Sequence, residues 1–582
     1  MRMITPVPIA ARTRSGARTA FLLAVSSTPL LMACRNEALP SAPDAALDGG
    51  EGEPGDAAYP GDSAQDSPTD TSADAETTTD ACAPGPVDEA LHQRILAAWA
   101  TARPLLESSL APGLVRDSSA PLYDVQLWTA NLLMYAEGIR DARLVESLAT
   151  LYERAYEGLR HTRRALYYYA KGPDGVERRQ QVFDLPEPVH MWAGPPTDEY
   201  DIGPEIVLTS AQFLYAVARV VRIVTEMNRP SAALRDFVRR SVPILAQDHY
   251  RRWLRREDGG PGSFQVRGWG CNPGTFDHRE RVANLLARRY GTRALGGDSD
   301  LSFCNAVTDT DLWIIAGIAE LVAAHHRDPA LVPLDETLAR MFASHVQAGL
   351  ALIESRHQVT VVTTPSGRVV TGAVFDRGAF DDHSDYAYAG FTETGPGCEM
   401  CVPSCPDQCP QFPGWKGDSS GGPRVASVPA VGTGWDISHA RRLVPVYDTL
   451  RRHRALFDSD FPTSEDEAQF ARQLAYAVWN GDADEPRFAT YFDGTNGWYR
   501  VNYAGRDAFG YAPGTQTVLA DTCGYGFWRS LEPTLGTALD AVAQKYDTER
   551  DPALPADARR LLLVLPERAA YEGRDGPCPW SR

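Results

Sequence analysis

Residues 432–453 read GTGWDISHARRLVPVYDTLRRH. A largely apolar helix opens there on an indole, a carboxylate, an imidazole and a guanidinium: Trp435, Asp436, His439 and Arg441. Residues three apart share one face of a helix. A carboxylate and an imidazole so placed are suited to general acid–base chemistry. Asp436 also suits a structural task. It is a good N-cap for an orphan backbone N–H near His439, and its charge matches the helix dipole. Capping alone needs no aromatic ring before the carboxylate. Nor does it need cations in the first turns, where they oppose the dipole.

The same opening recurs along the chain. Tyr123-Asp124-Val125 and Tyr200-Asp201-Ile202 repeat the aromatic–Asp–aliphatic order, and Thr308 to Trp313 is a looser relative that holds Asp311. Asp124 and Asp201 suit N-caps as Asp436 does. Two further stretches are rich in the same types. FDDHSDYAYAG (380–390) brings Asp382 and Tyr388, and DGTNGWYRVNY (493–503) brings Trp498 and Arg500. The first also fits a solvated acidic loop or a Ca²⁺ site, the second a hairpin between helices. No metal and no cofactor is assigned.

The elements that must position these residues are helices of two kinds. Residues 205–224 and 311–326 are apolar nearly all round, which predicts burial on every face. Residues 334–356 and 464–479 carry one apolar stripe and one charged face, and the latter begins with a capping box, Ser464 and Glu467. Residues 88–110 are amphipathic too, with Pro104 expected to kink or end the helix. The fold class expected is mainly α. An inner ring of buried helices inside an outer amphipathic ring makes an α/α toroid. Five inner helices are expected to start near Tyr123, Tyr200, Asp311, Trp435 and Gly524, with no clear sixth, and 278–289 is too charged to be inner. β-Hairpin insertions are expected at 166–183 and 358–375, around Gly-Pro-Asp-Gly and Pro-Ser-Gly turns.

This alternation, the polar and aromatic helix starts and the export signal described below resemble the six-hairpin toroid superfamily of glycosidases and polysaccharide lyases. The resemblance is architectural and covers about residues 87–570. It implies about six helical hairpins and a cleft lined by inner-helix N-termini, with a polysaccharide or oligosaccharide as partner. Tyr200, Trp313, Trp435 and Trp498 would then stack on sugar faces, and Asp201, Asp382, Tyr388, Arg441 and Arg500 would bind substrate. Asp436, His439 and Asp311 are the catalytic candidates. Hydrolysis would use two carboxylates, Asp436 with Asp311, Asp201 or Asp382. β-Elimination would use His439 with Tyr388 and Arg441 or Arg500. A non-catalytic glycan-binding or scaffolding protein remains the alternative, since fold alone does not fix activity.

The N-terminus sets the expected compartment. Arg2, Arg12, Arg14 and Arg18 precede an apolar run from Thr19 to Leu31, too short to span a bilayer but suited to a signal peptide. Leu31-Met32-Ala33-Cys34 resembles the lipobox of bacterial lipoproteins, which implies cleavage after residue 33, a lipid on Cys34, and a membrane anchor, with the outer membrane as the expected location. Residues 34–86 read as an acidic, disordered tether of about 40 Å reach. Residues 36–80 hold twelve acidic side chains and no Lys or Arg. With the five N-terminal arginines set against them, −12 of the formal −19 falls on residues 81–582, the folded body from about residue 87. A mildly acidic body excludes the basic footprint of a nucleic-acid binder. Nine further cysteines fit an oxidising compartment. CEMCVPSCPDQC reads as two local disulfides in preference to a zinc site. GDSSGGP (417–423) resembles a serine-protease stretch, but a helical chain does not supply the double β-barrel that chemistry uses. The anchor is testable: Cys34→Ala should move the protein from the membrane to the soluble fraction, and mass spectrometry of the wild-type mature terminus should find a lipidated Cys34. An unmodified terminus elsewhere in residues 20–40 would refute it.

Overall fold

The computed structural model describes residues 88–117, 119–167, 181–196, 201–203, 205–254, 277–287, 306–376, 388–390, 434–484, 486, 488–489, 491–494, 497–499, 524–548 and 558–569. Cys34, the nine other cysteines, the tether and the GDSSGGP stretch lie outside the described residues. The described chain is mainly helical. In order the helices are α1 (Glu89–Ser109), α2 (Pro112–Asp117), α3 (Ala120–Gly138), α4 (Ala142–Glu153), α5 (Val207–Glu226), α6 (Ala232–Pro243), α7 (Arg252–Leu254) and α8 (His278–Ala287). Then come α9 (Asp309–Arg327), α10 (Glu336–Arg356), α11 (Ile437–Ala440), α12 (Leu443–His453), α13 (Ser464–Gln473), α14 (Pro533–Thr548) and α15 (Ala558–Arg568). Three two-stranded antiparallel sheets join them: β1 (Arg160–Tyr167) with β2 (Gln181–Met191), β3 (His357–Thr363) with β4 (Val369–Phe375), and β5 (Tyr388–Gly390) with β6 (Gly497–Tyr499).

The apolar helices are central, as their composition requires. α5 is long and apolar enough to cross a membrane, yet 94% of its apolar window is buried inside the body. It packs against α3 and α9, α12 packs against α9, and α15 packs against α3. Amphipathic helices cover them. α4 packs on α3, α6 on α5, α10 on α9 and α13 on α12, while the first helix, α1, packs on the last, α15.

Side-chain contacts fix the direction of the central helices. Near their starts, Gln212 of α5 donates to Gln126 of α3 at 2.6 Å. Midway, the Tyr215 hydroxyl of α5 meets Thr449 of α12 at 3.0 Å. Deeper, Arg219 binds Glu137 of α3 and Asp448 of α12 at 2.7 and 2.6 Å, and Arg222 binds Glu320 of α9 at 2.7 Å. Arg452 of α12 also reaches Glu137, at 3.0 Å. α5 meets α3 early with early and late with late, Arg442 just before α12 and Arg452 near its end reach Tyr123 and Glu137 of α3, and Tyr215 and Arg222 of α5 reach Trp313 and Glu320 of α9, so α3, α5, α9 and α12 run in the same direction. The ionic contacts form one buried network. Burial pushes the Glu137 and Glu320 carboxyls up, but Arg219, Arg222 and Arg452 around Glu137, and Arg222 with His453 around Glu320, outweigh it and hold both below their ordinary values. Asp448 is lowered in the same way, against burial, by Arg452, Arg219 and Arg451.

Several boundaries differ from expectation. α1 runs through Pro104 to Ser109. The capping box of α13 is Thr463 with Asp466, one residue earlier than Ser464 with Glu467. Both pairs fit the pattern, but Glu467 is buried against Arg451 at 2.7 Å. Of the three aromatic–Asp openings only Asp436 is a cap. Asp124 lies inside α3, which starts after Ser119, and α5 starts after Ile206, five residues beyond Asp201. The helix expected at Gly524 is one 3-10 turn, Tyr525–Trp528, whose Gly524 and Gly526 N–H groups donate to the buried Glu567 carboxylate. α15 is the central helix that the sequence reading missed. The β3–β4 hairpin matches its expected span, whereas β1 begins at Arg160 and β2 extends to Met191.

Removing one partner from a buried ion network strands the rest at a cost of about 3–5 kcal/mol. Glu137→Ala should therefore lose stability on that scale in urea denaturation at pH 7. Because all three carboxylates are lowered from unfolded values near about 4, their contribution is present above that range and lost as pH falls through the folded values. Urea midpoints of the wild type should drop between pH 5 and pH 3, and the drop should shrink in the variant.

Candidate functional site

The site is built on the turn into α11. Gly434 has φ +72°, a left-handed conformation, and a Cβ there would lie 3.1 Å from Val374 and 3.3 Å from Phe492. The turn sets Trp435 between two rings. Phe375, at the end of β4, lies 6.0 Å away at 26°, and His439 lies 6.2 Å away and nearly parallel, at 4°. The Trp435 carbonyl accepts the Phe492 N–H at 3.1 Å. Asp436 forms a β-bridge with Tyr491. The Tyr525 hydroxyl donates to the Ile437 carbonyl at 2.6 Å. Three distant segments thus hold the first turn of α11.

The Asp436 carboxylate does two things at once. It caps α11, accepting the His439 backbone N–H at 3.2 Å. It also receives the Ser438 hydroxyl at 2.5 Å and sits 2.8 Å from Nδ1 of His439. A carboxylate on Nδ1 fixes the imidazole plane and directs proton exchange to Nε2. The parallel Trp435 ring backs the imidazole. Asp436 is 5% exposed and His439 8%.

The starts of other central helices gather at the same end. Arg442, between α11 and α12, sits 3.1 Å from Asp309 at the start of α9 and donates to the Tyr123 hydroxyl of α3 at 3.1 Å. β5 pairs with β6 so that Tyr388 faces Tyr499 and Ala389 faces Trp498. The two loop stretches singled out from the sequence are therefore neighbours, and β6 follows six residues after Tyr491, the bridge partner of Asp436.

The remaining candidates fall in different places. Asp311 is buried beneath the start of α9. Its carboxylate takes Arg281 in a fork at 2.7 and 2.8 Å, His278 at 2.9 Å, and both the N–H and hydroxyl of Thr308. Burial pushes this group up, but Arg281 and His278 outweigh it and hold it well below the carboxylate range. It caps α9 and closes an ion pair, which leaves no proton to give. Trp313 is 2% exposed and packs on Tyr215 at 5.0 Å, inside the core. Trp435 is likewise an internal wall, 2% exposed, and no platform for a ligand. Arg441 is buried. Asp201 is exposed and paired with Arg164 at 2.5 Å, five residues short of the Ile206 cap position, and caps no helix. Tyr200, Asp382 and Arg500 lie outside the described residues, and Tyr388 and Trp498 are placed by backbone alone.

Sequence reasoning missed Ser438, Asp309 and Arg442, and named Tyr123 only as a helix start. The signal for Asp309 was present in Thr-Asp-Thr-Asp (308–311), where either carboxylate could face the helix end, and the fork from Arg281 on α8 decides between them. Comparison with known proteins finds no family model, no curated protein and no solved structure that matches this chain.

Asn caps a helix about as well as Asp but cannot pair with an imidazolium. Asp436→Asn should therefore melt within a few degrees of the wild type. Asp436→Ala loses the cap and the charge-assisted bonds, and should cost about 2 kcal/mol. Equal losses for the two variants would deny the carboxylate its capping role.

Proposed function

We propose that the chain is a lipid-anchored envelope enzyme that cleaves an acidic polysaccharide by β-elimination, with His439 as the base. The observation that carries this reading is the Asp436 carboxylate on Nδ1 of His439. A carboxylate committed to a cap, a serine hydroxyl and an imidazole is a positioning group. Paired-carboxylate hydrolysis needs free acid and base oxygens, and with Asp311 locked in its ion pair the second carboxylate for that route has lost its first candidate.

The proposed architecture is an α/α toroid. It is supported by four co-directional central helices, by their amphipathic partners, and by the pairing of α1 with α15, which would close the ring. Helix starts at one end would form the mouth of the cleft, with the β5–β6 ribbon on its rim. In the proposed step, Nε2 of His439 takes the C5 proton of a uronate. The C5–H electrons form the C4=C5 double bond, the C4–O bond breaks, and the leaving oxygen takes a proton from Tyr388 or water. Arg500, next in sequence after β6, is the cation proposed to meet the uronate carboxylate. The tether would place this cleft some tens of ångströms from the membrane surface.

The test is turnover of polygalacturonate, alginate and a neutral glucan by the full chain. β-Elimination yields an unsaturated, ultraviolet-absorbing end for every new reducing end, whereas hydrolysis yields reducing ends alone. His439→Ala and Asp436→Asn should each lower kcat at least a hundredfold without unfolding the protein. Reducing ends without absorbance would replace the lyase with a hydrolase. Binding of glycan without any cleavage would leave a non-catalytic glycan receptor.

A further inference from the structure

A polar cleft opens where the chain enters two central helices. It encloses about 390 Å³ and is lined by Arg116, Arg160, His161, Thr162, Arg164 and Asp201, with two aliphatic side chains. Arg116 belongs to α2, just before α3, and Asp201 precedes α5. The cleft therefore lies at the end of the body that carries Asp436 and His439.

The partners of these arginines make it a site for an anion. Arg116 donates to the Glu157 carbonyl at 3.1 Å. Arg160 donates from Nε to the Ala193 carbonyl and from Nη2 to the Arg116 carbonyl, each at 3.1 Å. Carbonyls hold a guanidinium in place but do not neutralise it. Among the described residues only Arg164 of these three meets carboxylates, Asp201 at 2.5 Å and Asp184 at 3.7 Å. The cleft thus sets three guanidiniums against one lining carboxylate, in a body whose own balance is −12. A pre-positioned guanidinium offers paired N–H groups that match a carboxylate or sulfate in a bidentate fork. The extended phosphate array of a duplex, one charge per about 1.7 Å, would meet the acidic remainder of the surface. A cleft of this size and charge suits one or two anionic groups on a flexible chain.

We infer that this cleft is an outlying subsite for the anionic groups of the glycan, uronate carboxylates or sulfate esters, gripped by Arg116 and Arg160 and bounded by the Arg164–Asp201 pair. The inference rests on the reading of the Asp436–His439 end as a glycan site and gives it a substrate class. It makes Asp201 a repulsive rim group, so the two kinds of substitution should move affinity in opposite directions.

The experiment is calorimetric titration of the full chain with polygalacturonate, dextran sulfate, neutral dextran and duplex DNA at two salt concentrations. Arg116→Gln with Arg160→Gln should weaken binding of at least one acidic polymer tenfold or more and flatten its salt dependence. Arg116→Gln alone, at an exposed residue, should weaken it severalfold, and Asp201→Asn should tighten it two- to fivefold. The single variants keep the test decisive if the double variant does not fold. If polygalacturonate is preferred, the group is a carboxylate; if dextran sulfate, a sulfate ester. Unchanged affinity in Arg116→Gln, weaker binding in Asp201→Asn, equal binding of neutral dextran, or tighter binding of duplex DNA would each overturn the inference. Failure here is separable from failure of the proposed activity. Acidic polymer bound through these arginines but never cleaved would keep the cleft and remove the lyase. Cleavage with full affinity in the arginine variants would keep the lyase and remove the cleft.

Discussion

Everything at the candidate site depends on a set of buried charges far below it. Arg219 and Arg222 sit one turn apart on α5 and reach Glu137 on α3, Glu320 on α9 and Asp448 on α12. Burying these groups costs several kcal/mol each unless they are paired, so the pairing is demanding about register. A slip of α5 by one turn, about 5.4 Å, would part both guanidiniums from their carboxylates while costing the surrounding Val, Ala and Leu side chains far less. Apolar packing draws the four helices together, and the ion network sets their relative height. Level helices bring their starts to one end, and there Tyr123, Asp309, Arg442 and Asp436 come from three different parts of the chain.

The pair Asp436 and His439 shows how a structural device can serve chemistry. The carboxylate that ends the backbone's unsatisfied N–H also fixes the imidazole, so the helix start and the proposed base are held by the same atoms. Trp435 behind the ring, Phe375 behind Trp435, and the bonds from Phe492 and Tyr525 make the turn rigid. Orientation of this kind is what a base requires before any question of substrate arises.

Charge is distributed unevenly at that end. The body is acidic overall, and in its core Arg219, Arg222, Arg281 and Arg451 answer carboxylates. Arg116 and Arg160 are different, since they are fastened to carbonyls and keep their charge for the cleft they line. An acidic protein with a local cationic cleft repels most polyanions at long range and holds one that reaches the cleft, which favours selectivity over affinity.

The sequence by itself determined that α5 and α9 are buried, because an all-round apolar helix has no face to offer water. It also determined the β3–β4 hairpin, set by alternation around Pro-Ser-Gly, and the cap at Asp436, a local interaction three residues long. It left undecided whatever depends on a partner distant in the chain. Asp311 and Asp309 look alike in Thr-Asp-Thr-Asp, and Arg281 on α8 takes one while Arg442 takes the other. Trp435 and Trp313 look like platforms until the rings of Phe375 and Tyr215 cover them. α15 was hidden because a short, arginine-flanked helix with Pro566 inside it reads as peripheral, and it is central through distant partners: Asn131 donates to the Leu563 carbonyl and Glu567, and the Gly524 and Gly526 N–H groups bind the same carboxylate. Local sequence fixes caps, turns and faces through neighbours a few residues away. Which carboxylate meets which cation is settled by helices tens to hundreds of residues apart, and only their packing brings those groups within reach.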